Sequence, residues 1–517
     1  MFSTILSGTV YGIQSHMVHV EVDLSSGLPC FVMVGSLGAE VREAAERIRV
    51  ALKNSGIQLP PMHIAVNLSP ASVHKEGTGF DLPIAVGVLT AMGVLPPDRT
   101  QGILFLGELG LNGELKPVRG VLPIAVQAVK QGIDRCLIPV ENLGEAGAVK
   151  EMQAKGAENL LQVIEYLRAD PVMQEEILLS KQENAADLLQ KTSKEVQPDF
   201  QDIAGQETVK RAALISAAGF HHMLITGPPG AGKTMIARRL STILPPLSLE
   251  ECMEVSSLYS IAGRLPEGQP LVTERPFLSP HHTISPQALS GGGRIPRPGI
   301  VSLAHRGVLF LDELPEFKRQ TLDLLRQPLE DREIHIARSS GSFTYPAEFM
   351  LVAAMNPCPC GYYPDRNKCA CTPYEVHRYL SHISGPILDR IDLGVWAFRV
   401  DIRQLQSKKK GISSRQLKDQ VLQARAMQQE RYRGTGIRFN SELMPGDMES
   451  FCPLEQEEKN FLEQLFCTLN LSARAYHRLL KVARTIADLE GSDRIKVNHL
   501  TEAVCYRAEE SVYGKEE

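Results

Sequence analysis

The stretch GPPGAGKT, residues 227–234, has the spacing G-x-x-x-x-G-K-[ST] that binds phosphates in nucleotide-binding loops. Backbone N–H groups of such a loop curl round a β-phosphate, because its glycines carry no Cβ that would clash. We expect the lysine to reach the β- and γ-phosphates and the threonine to bind Mg²⁺. The predicted site for ATP and Mg²⁺ consists of Gly227, Pro228, Pro229, Gly230, Ala231, Gly232, Lys233 and Thr234.

An acidic pair follows the apolar run GVLFL. Asp312 is placed to hold Mg²⁺ through water, and Glu313 is placed to polarise the water that attacks the γ-phosphate. Each motif by itself could have another explanation, such as a strand that simply ends in exposed acids. Both motifs together, in this order along the chain, predict ATP hydrolysis.

Four of the ten cysteines lie within the sixteen residues NPCPCGYYPDRNKCAC, which begin at Asn356. Their spacing is C-x-C, eight residues, C-x-C, whereas structural zinc sites more often show C-x₂₋₄-C. In a reducing cytosol, clustered cysteines more often indicate a metal than a disulfide. We therefore predict Zn²⁺, with a reduced and unligated loop as the alternative. The predicted ligands are Cys358, Cys360, Cys369 and Cys371.

The elements that must position these residues fall into blocks. Residues 196–400 alternate short apolar strands with helices, as a parallel sheet requires. Residues 1–170 mix alternating strands with helices such as VREAAERIRVALKNSG, and a polar segment at 171–195 is a predicted linker. Residues 412–510 are predicted to be helical, and one helix there has an apolar face formed by Leu417, Val421, Ala424 and Met427.

Composition limits the class of protein. A chain of 517 residues has room for about two to four domains. A net charge of −5 excludes a protein that coats DNA by bulk charge, but it leaves room for a local basic patch. No apolar run is long enough to span a membrane, and the first residues are unlike a secretion signal, so we expect a cytoplasmic protein without a membrane partner.

The order of these motifs resembles the AAA+ ATPases, which have an α/β fold with a parallel-sheet core and a helical lid. In that family the position of Asn356 is sensor 1, which orients the attacking water. In the magnesium-chelatase and MCM branch, GPILDRID places Arg390 at the arginine finger, and LSARAYHRLL places Arg474 at sensor 2. The resemblance therefore implies catalytic roles for Glu313, Asn356, Arg390 and Arg474.

Longer matches narrow the resemblance. RPFLSPHHTISPQALSGGG, AHRGVLFLDELPEF, NPCPCGYY and SGPILDRIDL resemble the magnesium-chelatase-like YifB/ComM family, and the likeness extends over nearly the whole chain. An arginine finger acts across a subunit interface, so the resemblance implies a homo-hexameric ring that depends on nucleotide or DNA. It also implies an insert in the second helix of the core and a hairpin, EIHIARSSGSFTYP, with its turn at Ser339–Ser340–Gly341.

The first block resembles the proteolytic domain of Lon, an α+β fold of the ribosomal S5-like type. HKEGTGFDLPIAVGVL matches the serine motif of Lon and puts Gly79 in the place of the nucleophile. KPVRGVLPIAVQAVKQGIDRCLIP matches the lysine segment and puts Leu122 in the place of the base. Without a hydroxyl and an amine, Ser–Lys chemistry cannot run, so we predict a scaffold in which Lys75 and Lys116 are solvated surface residues.

Candidate contacts to DNA lie in the insert and in the hairpin. Cationic and imidazole donors beside glycines suit a phosphate backbone, although each could instead be an interface or capping residue. The candidates are His281, His282, Arg294, Arg297, Arg332 and Arg338.

Three functions remain open at this point. The resemblance implies a helicase that drives branch migration on single-stranded or branched DNA while incoming DNA is integrated. The alternatives are a protein-remodelling ATPase and a motor subunit of the metal-chelatase type. Against the last, chelatase motor subunits lack a Lon-like block, and this chain has no integrin-like metal-binding domain.

Overall fold

The structure, a computed structural model, describes residues 1–181, 185–190, 198–266, 268–293, 296–338, 341–400 and 411–507. Arg294 and the predicted turn residues Ser339 and Ser340 lie outside the described residues, as do parts of the expected linker. Among the described residues, no helix is both long enough and apolar enough to span a lipid bilayer.

The first block folds round a mixed sheet. Its strands are β1 (Phe2–Tyr11), β2 (Gln14–Ser25), β3 (Cys30–Val34), β4 (His63–Ser69), β5 (Ile103–Phe105), β6 (Glu108–Leu109), β7 (Leu115–Lys116), β8 (Arg135–Pro139), β9 (Gln153–Ala157) and β10 (Leu179–Ser180). Eight of them form one sheet in the order β10-β9-β8-β5-β1-β2-β4-β3, while β6 and β7 pair separately. Strand β2 buries Val18, Val20, Val22 and Leu24 on one face, since successive side chains of a strand point to opposite faces.

Helices cover this sheet. They are α1 (Ala39–Arg42), α2 (Ala44–Asn54), α3 (Asp81–Ala91), α4 (Val121–Lys130), α5 (Leu143–Gly147) and α6 (Leu160–Arg168). The helix predicted from VREAAERIRVALKNSG is confirmed: α2 ends at Asn54, and Gly56 follows with φ +79°.

Part of the expected linker belongs to the first sheet. Helices α7 (Pro171–Ile177) and α8 (Ala185–Gln190) lie in this segment. Strand β10 between them pairs with β9, with Leu179 opposite Gly156. The first sheet therefore extends beyond residue 170.

The second block contains the parallel sheet that the sequence predicts. Its strands are β11 (Met223–Thr226), β12 (Phe277–Leu278), β13 (Gly291–Gly292), β14 (Arg297–Pro298), β15 (Val308–Leu311), β16 (Glu333–Arg338), β17 (Gly341–Pro346), β18 (Met350–Met355) and β19 (Leu393–Trp396). Five form a parallel sheet in the order β12-β15-β18-β11-β19, whereas β13–β14 and β16–β17 are separate antiparallel pairs. Every residue of β11, β15 and β18 is buried, as expected for strands covered on both faces.

The helices of this block connect the strands. They are α9 (Glu207–Gly219), α10 (Lys233–Ile243), α11 (Leu249–Ala262), α12 (Pro286–Ser290), α13 (Ile300–Leu303), α14 (Arg319–Asp323), α15 (Arg326–Asp331), α16 (Pro373–Leu380) and α17 (Gly385–Leu388). Helix α11 begins with a capping box, in which the side chains of Ser248 and Glu251 each accept a hydrogen bond from the other residue's backbone N–H.

The two blocks meet at α11 and at the β16–β17 hairpin. The rings of Tyr11 and Phe343 lie 4.6 Å apart, centroid to centroid. The Ser260 hydroxyl on α11 donates to Glu145 Oε2 at 2.6 Å, and the Ser260 carbonyl accepts from Gly120 N at 3.3 Å. The first block therefore packs against α11 and against the β16–β17 hairpin, which carries the candidate DNA contact Arg338.

The third block is helical, as predicted. Its helices are α18 (Ser414–Arg431), α19 (Met448–Phe451), α20 (Gln456–Thr468), α21 (Ala473–Leu489) and α22 (Val497–Val504). Helix α18 buries Leu417, Val421 and Ala424, but Met427 is only half-buried and Gln428 is buried in its stead. The Gln428 amide can be buried because it donates to the Ala218 carbonyl at 3.0 Å.

Candidate nucleotide site and cysteine cluster

The phosphate loop, residues 227–234, joins β11 to α10. Gly230 and Gly232 adopt φ +76° and +84°, a backbone region that glycine occupies without strain. The sequence predicts a glycine at position 227 for phosphate binding, but the structure gives a second reason for it. A Cβ at this position would overlap the carbonyl oxygen of Ala397, just after the neighbouring strand β19.

Lys233 lies at the centre of the site. Its ammonium group donates to the carbonyl of Gly227 at 2.8 Å, to that of Pro228 at 3.1 Å and to Asn356 Oδ1 at 3.0 Å. Burial lowers the pKa of Lys233, and the carboxylates of Asp312 and Glu313 oppose that shift. The structure thus brings the predicted phosphate-binding lysine and the predicted water-orienting asparagine into direct contact.

Two oxygen ligands for a magnesium ion lie side by side. Thr234 Oγ1 donates to Asp312 Oδ2 at 2.7 Å, and Asp312 Oδ1 accepts from the backbone N–H of Glu313 at 3.0 Å. Hydroxyl and carboxylate oxygens are the donors that Mg²⁺ prefers, usually with water and substrate phosphates in the remaining positions. Thr234 and Asp312 therefore fit the ion that the sequence predicts.

The predicted general base, Glu313, has φ +53° and a half-exposed side chain. Its Oε2 lies 3.6 Å from Nδ1 of His282, and the rings of His281 and His282 lie with centroids 4.1 Å apart and planes tilted by 34°. His281 itself pairs with Thr283 Oγ1 at 2.9 Å. The structure thus places His282 beside the predicted general base, and its role as a DNA contact stays a prediction.

The other candidate DNA contacts do not form one patch. Arg332 has φ +60° and its guanidinium lies 3.8 Å from Glu442 of the helical block, so it belongs to a contact between core and lid. Arg297 and Arg338 are exposed and lie on neighbouring hairpins; a Cβ at Gly292, opposite Arg297, would be 2.9 Å from Nη2 of Arg338. Arg294 falls outside the described residues.

The two predicted catalytic arginines lie at the opposite edge of the sheet. In the parallel register, Met223 pairs with Leu393 and Thr226 with Trp396. The phosphate loop follows the carboxyl end of β11, whereas Arg390 precedes the amino end of β19. The strand alone separates these two edges by about 10 Å.

Arg390 and Arg474 meet at one carboxylate. Arg390 makes a close ion pair with Glu330 and donates to the Pro386 carbonyl at 2.5 Å, while Nη2 of Arg474 lies 3.8 Å from Glu330 Oε1. Arg478, one turn after Arg474, donates to the carbonyls of Leu388 and Ile391 at 3.1 and 2.9 Å, which fixes the backbone on both sides of Arg390. We name this group of side chains the arginine face.

Sequence reasoning missed two members of this face, Glu330 and Arg478. Glu330 is separated from Arg390 by 60 residues, and Arg478 from Leu388 by 90. No spacing rule joins residues that far apart. Only the four-residue step from Arg474 to Arg478, which puts both on one face of a helix, could have suggested Arg478.

The cysteine loop, residues 356–371, brings its four thiols together. All four Sγ atoms lie within 4.8 Å of one another, and Cys358 is fully buried. The Sγ of Cys358 is 3.3 Å from that of Cys360 and 3.8 Å from that of Cys369. Burial acts to raise the pKa of Cys360, but hydrogen bonds from the Tyr362 backbone and the other thiols outweigh it and lower the pKa to about 6.

The first block shows no protease chemistry at the positions matched to Lon. Gly79 lines a cavity of about 470 Å³, where an added Cβ would meet Val118 at 3.7 Å, and Leu122 is fully buried. The prediction that Lys75 is a surface residue is wrong. Its side chain is buried, donates to the Pro70 carbonyl and has a pKa lowered by burial, whereas Lys116 is exposed.

Comparison with family models finds three matches in chain order. They are "Subunit ChlI of Mg-chelatase" at residues 20–142, "Magnesium chelatase, subunit ChlI" at 199–405 and "Magnesium chelatase, subunit ChlI C-terminal" at 411–507.

Two relatives match nearly the whole chain, and a third matches about a third of it. The protein named Competence protein ComM of Haemophilus influenzae is 42% identical over 501 residues, which is 96% of each chain. Uncharacterized protein YifB of Salmonella typhimurium is 42% identical over 498 residues, 96% of this chain and 95% of that one. The Magnesium-chelatase 38 kDa subunit of Rhodobacter capsulatus is 28% identical over 176 residues, 31% of this chain and 50% of its own.

Proposed function

This chain belongs to the magnesium-chelatase-like family of the YifB and ComM proteins, and from that membership we propose that it is a ring-forming, ATP-driven DNA motor. The motor would act as a helicase on single-stranded or branched DNA and drive branch migration while incoming DNA is integrated, in transformation or in recombination. The relative named as a competence protein supports this role, because it is 42% identical over 96% of the chain.

ATP binding uses the assembled carboxyl edge of the sheet. Lys233 would contact the β- and γ-phosphates, and Thr234 and Asp312 would hold Mg²⁺, which neutralises phosphate charge when it is bound. Glu313 would accept the proton of the attacking water, and Asn356 would orient that water. In this scheme the hydrogen bond between Lys233 and Asn356 links phosphate binding to water positioning.

The ring is supported by the position of Arg390. Arg390 precedes the amino end of β19, at the edge of the sheet opposite the phosphate loop of its own chain, and its guanidinium pairs with Glu330 and donates to the Pro386 carbonyl. This position supports an action of Arg390 on the nucleotide of a neighbouring chain. We therefore propose a closed ring, a homo-hexamer, in which each chain offers a phosphate loop on one side and an arginine face on the other.

DNA is the proposed substrate because two exposed arginines extend from hairpins that lie beside each other. Arg297 and Arg338 offer fixed positive charge beside glycine backbones, which suits the phosphates of a nucleic acid strand. The alternatives are a protein-remodelling ATPase and a chelatase-type motor subunit. The match to the 38 kDa chelatase subunit covers only about a third of this chain, which supports a shared ATPase and not a shared substrate.

Zinc is the second metal that we propose, at the cysteine cluster. A tetrahedral site with Zn–S distances of about 2.3 Å requires sulfur–sulfur distances of about 3.8 Å. The Sγ–Sγ distances of 3.3, 3.5 and 3.8 Å in the structure lie close to that value, and no Sγ is more than 4.8 Å from another. Four soft donors without a carboxylate or carbonyl ligand select zinc over magnesium or calcium.

Substrate-stimulated ATP hydrolysis tests the proposed function. Single-stranded or forked DNA should raise the rate of the wild-type protein, and Glu313→Gln should bind ATP and DNA without unwinding a fork. Arg297→Ala and Arg338→Ala should each weaken DNA binding and reduce its salt dependence by about one charge. Arg433→Ala is the matched control, since Arg433 is an exposed arginine of the lid that pairs only locally with Glu430.

Stimulation by an unfolded polypeptide, with none by DNA, would replace the DNA motor with the protein-remodelling ATPase. Failure of both, with activity only beside a porphyrin and partner subunits, would favour the chelatase type.

A further inference from the structure

The cysteine loop touches the phosphate loop directly. Gly361 directly follows Cys360 and has φ +83°. A Cβ at this position would lie 2.5 Å from Cδ and 2.7 Å from Cγ of Pro229. Only a residue without a side chain fits this contact. The backbone of the cysteine loop at Gly361 therefore packs directly against the Pro229 ring of the phosphate loop, and there is no space for the two loops to move closer together.

The same loop reaches the nucleotide site at a second point. It begins at Asn356, whose side-chain oxygen accepts a hydrogen bond from Lys233 at 3.0 Å, and the position of a Cβ at Gly361 is 3.8 Å from Cγ of Asn356. The Met355 carbonyl, just before the loop, accepts from Gly227 N at 3.2 Å. Contacts at both ends of the phosphate loop thus come from one short segment.

Backbone hydrogen bonds and the ion pair between Asp365 and Lys368 shape the part of this segment between the two pairs of cysteines, and the thiols lie at its centre. Gly361 N donates to the Cys358 carbonyl at 2.9 Å, and Cys369 N donates to the Asp365 carbonyl at 2.8 Å. Tyr363 N donates to Cys358 Sγ at 3.4 Å, an arrangement that also supports a thiolate ligand. The centre of the segment consists of sulfur atoms that face one another, and a bound cation would join them.

We propose that the metal held by Cys358, Cys360, Cys369 and Cys371 supports the phosphate loop through Gly361 and Pro229, so that zinc occupancy sets the affinity for ATP. This inference rests on the proposed zinc site and gives it a role in nucleotide binding. Metal binding to such a loop is coupled to its folding. Loss of zinc would release Gly361 from Pro229 and Asn356 from Lys233 together.

The test measures zinc content and nucleotide affinity on the same full-length preparations. Wild type should contain about one zinc per chain, released when the thiols are modified, and should bind a fluorescent ATP analogue. Cys369→Ser should lose zinc and bind the analogue about tenfold more weakly, which corresponds to about 1.4 kcal/mol. Cys467→Ser, which changes an exposed lid cysteine outside the cluster, should match wild type in both measurements.

A second variant keeps the experiment decisive if Cys369→Ser does not fold. Gly361→Ala retains all four thiols, so it should keep its zinc while the added methyl group displaces Pro229 and weakens nucleotide binding. Wild-type affinity in zinc-containing Gly361→Ala, or in a folded zinc-free protein, would overturn the inference and leave the zinc site intact. Wild type without zinc would overturn the zinc site itself, whatever its affinity for ATP.

Discussion

The two edges of the parallel sheet carry different kinds of catalytic group. At the carboxyl edge the side chains are already joined to one another, Lys233 to Asn356 and Thr234 to Asp312. At the amino edge Arg390 and Arg474 are paired with Glu330, a carboxylate of their own chain. The first edge is complete for binding a nucleotide, whereas the second has cations and no phosphate loop. This difference is the basis for the proposal that one chain binds ATP and that a neighbouring chain supplies the arginine for rapid hydrolysis.

The largest effect should come from the carboxyl edge. Lys233→Ala removes the cation that contacts two phosphates, so we expect loss of both nucleotide binding and turnover. Glu313→Gln should keep binding and lower kcat by about 10²- to 10⁴-fold, because only the general base is lost. Equilibrium binding of a fluorescent ATP analogue and steady-state hydrolysis separate the two results. Lys459→Ala, at an exposed lysine of α20, serves as the control. Normal nucleotide binding by Lys233→Ala would contradict the assignment of this edge.

Arg390→Ala tests the opposite edge. We expect kcat to fall by about 10³-fold, the smaller end of the range for an arginine supplied across an interface. Nucleotide affinity should stay within about twofold of wild type, because the phosphate loop is untouched. The same assays apply, with Arg433→Ala as the matched loss of an exposed arginine. A fall in affinity instead of kcat would place Arg390 beside the nucleotide of its own chain.

Glu330→Gln sharpens the comparison, because it removes only the carboxylate charge that pairs with Arg390 and Arg474. Without its negative charge the two guanidinium groups repel each other, and their shared position is less well fixed. We expect a reduction in kcat of about three- to tenfold at unchanged nucleotide affinity, and no effect from Asp323→Asn, a nearby carboxylate that pairs with Arg326. Rescue of the rate by Glu330→Asp would identify the charge as the cause. Equal rates for Glu330→Gln and wild type would show that Glu330 has no role in positioning.

The smallest expected effect is on the free energy of unfolding, through His222, which lines the same cavity as the arginine face. Burial lowers the pKa of His222 from 6.5 to about 4, and its Nδ1 accepts a hydrogen bond from Leu351 N at 3.0 Å. The unfolded chain therefore binds a proton that the folded chain excludes between pH 6.5 and about 4. Stability should fall as pH drops through this window, with a slope of at most about 1.4 kcal/mol per pH unit from this one group.

His222→Asn preserves an acceptor near the position of Nδ1 and cannot take up the proton. Urea unfolding across this window should give a shallower decline in the variant than in wild type. Parallel declines would show that His222 does not account for the slope.

Sequence reasoning identifies the carboxyl edge well because its residues lie in contiguous motifs at the ends of apolar strands. The phosphate loop, the acidic pair and Asn356 each follow a buried strand, and strand ends of one parallel sheet meet. The sequence predicts His282 as a DNA contact because it is an imidazole donor near glycines. Its proximity to Glu313 arises from the fold, since strand β12, which precedes it, has only two residues and gives no recognisable pattern.

The remaining differences come from tertiary packing. Glu330 and Arg390 are brought together by the fold, since the motif GPILDRID identifies Arg390 but no local motif marks Glu330 as its partner. Lys75 lies in the polar stretch HKEGTG, yet the surrounding chain buries it, and its ammonium group donates a hydrogen bond to the Pro70 carbonyl. Local polarity predicts exposure, and only the packed structure shows where that rule does not hold.

The most direct test of the central claim is to mix two inactive proteins. Lys233→Ala keeps a normal arginine face, and Arg390→Ala keeps a normal phosphate loop. If neighbouring chains share each ATP, an equal mixture should recover hydrolysis, since about a quarter of the interfaces in randomly mixed rings combine the two intact surfaces. A mixture no more active than the sum of its components, or full activity of Arg390→Ala by itself, would contradict the account.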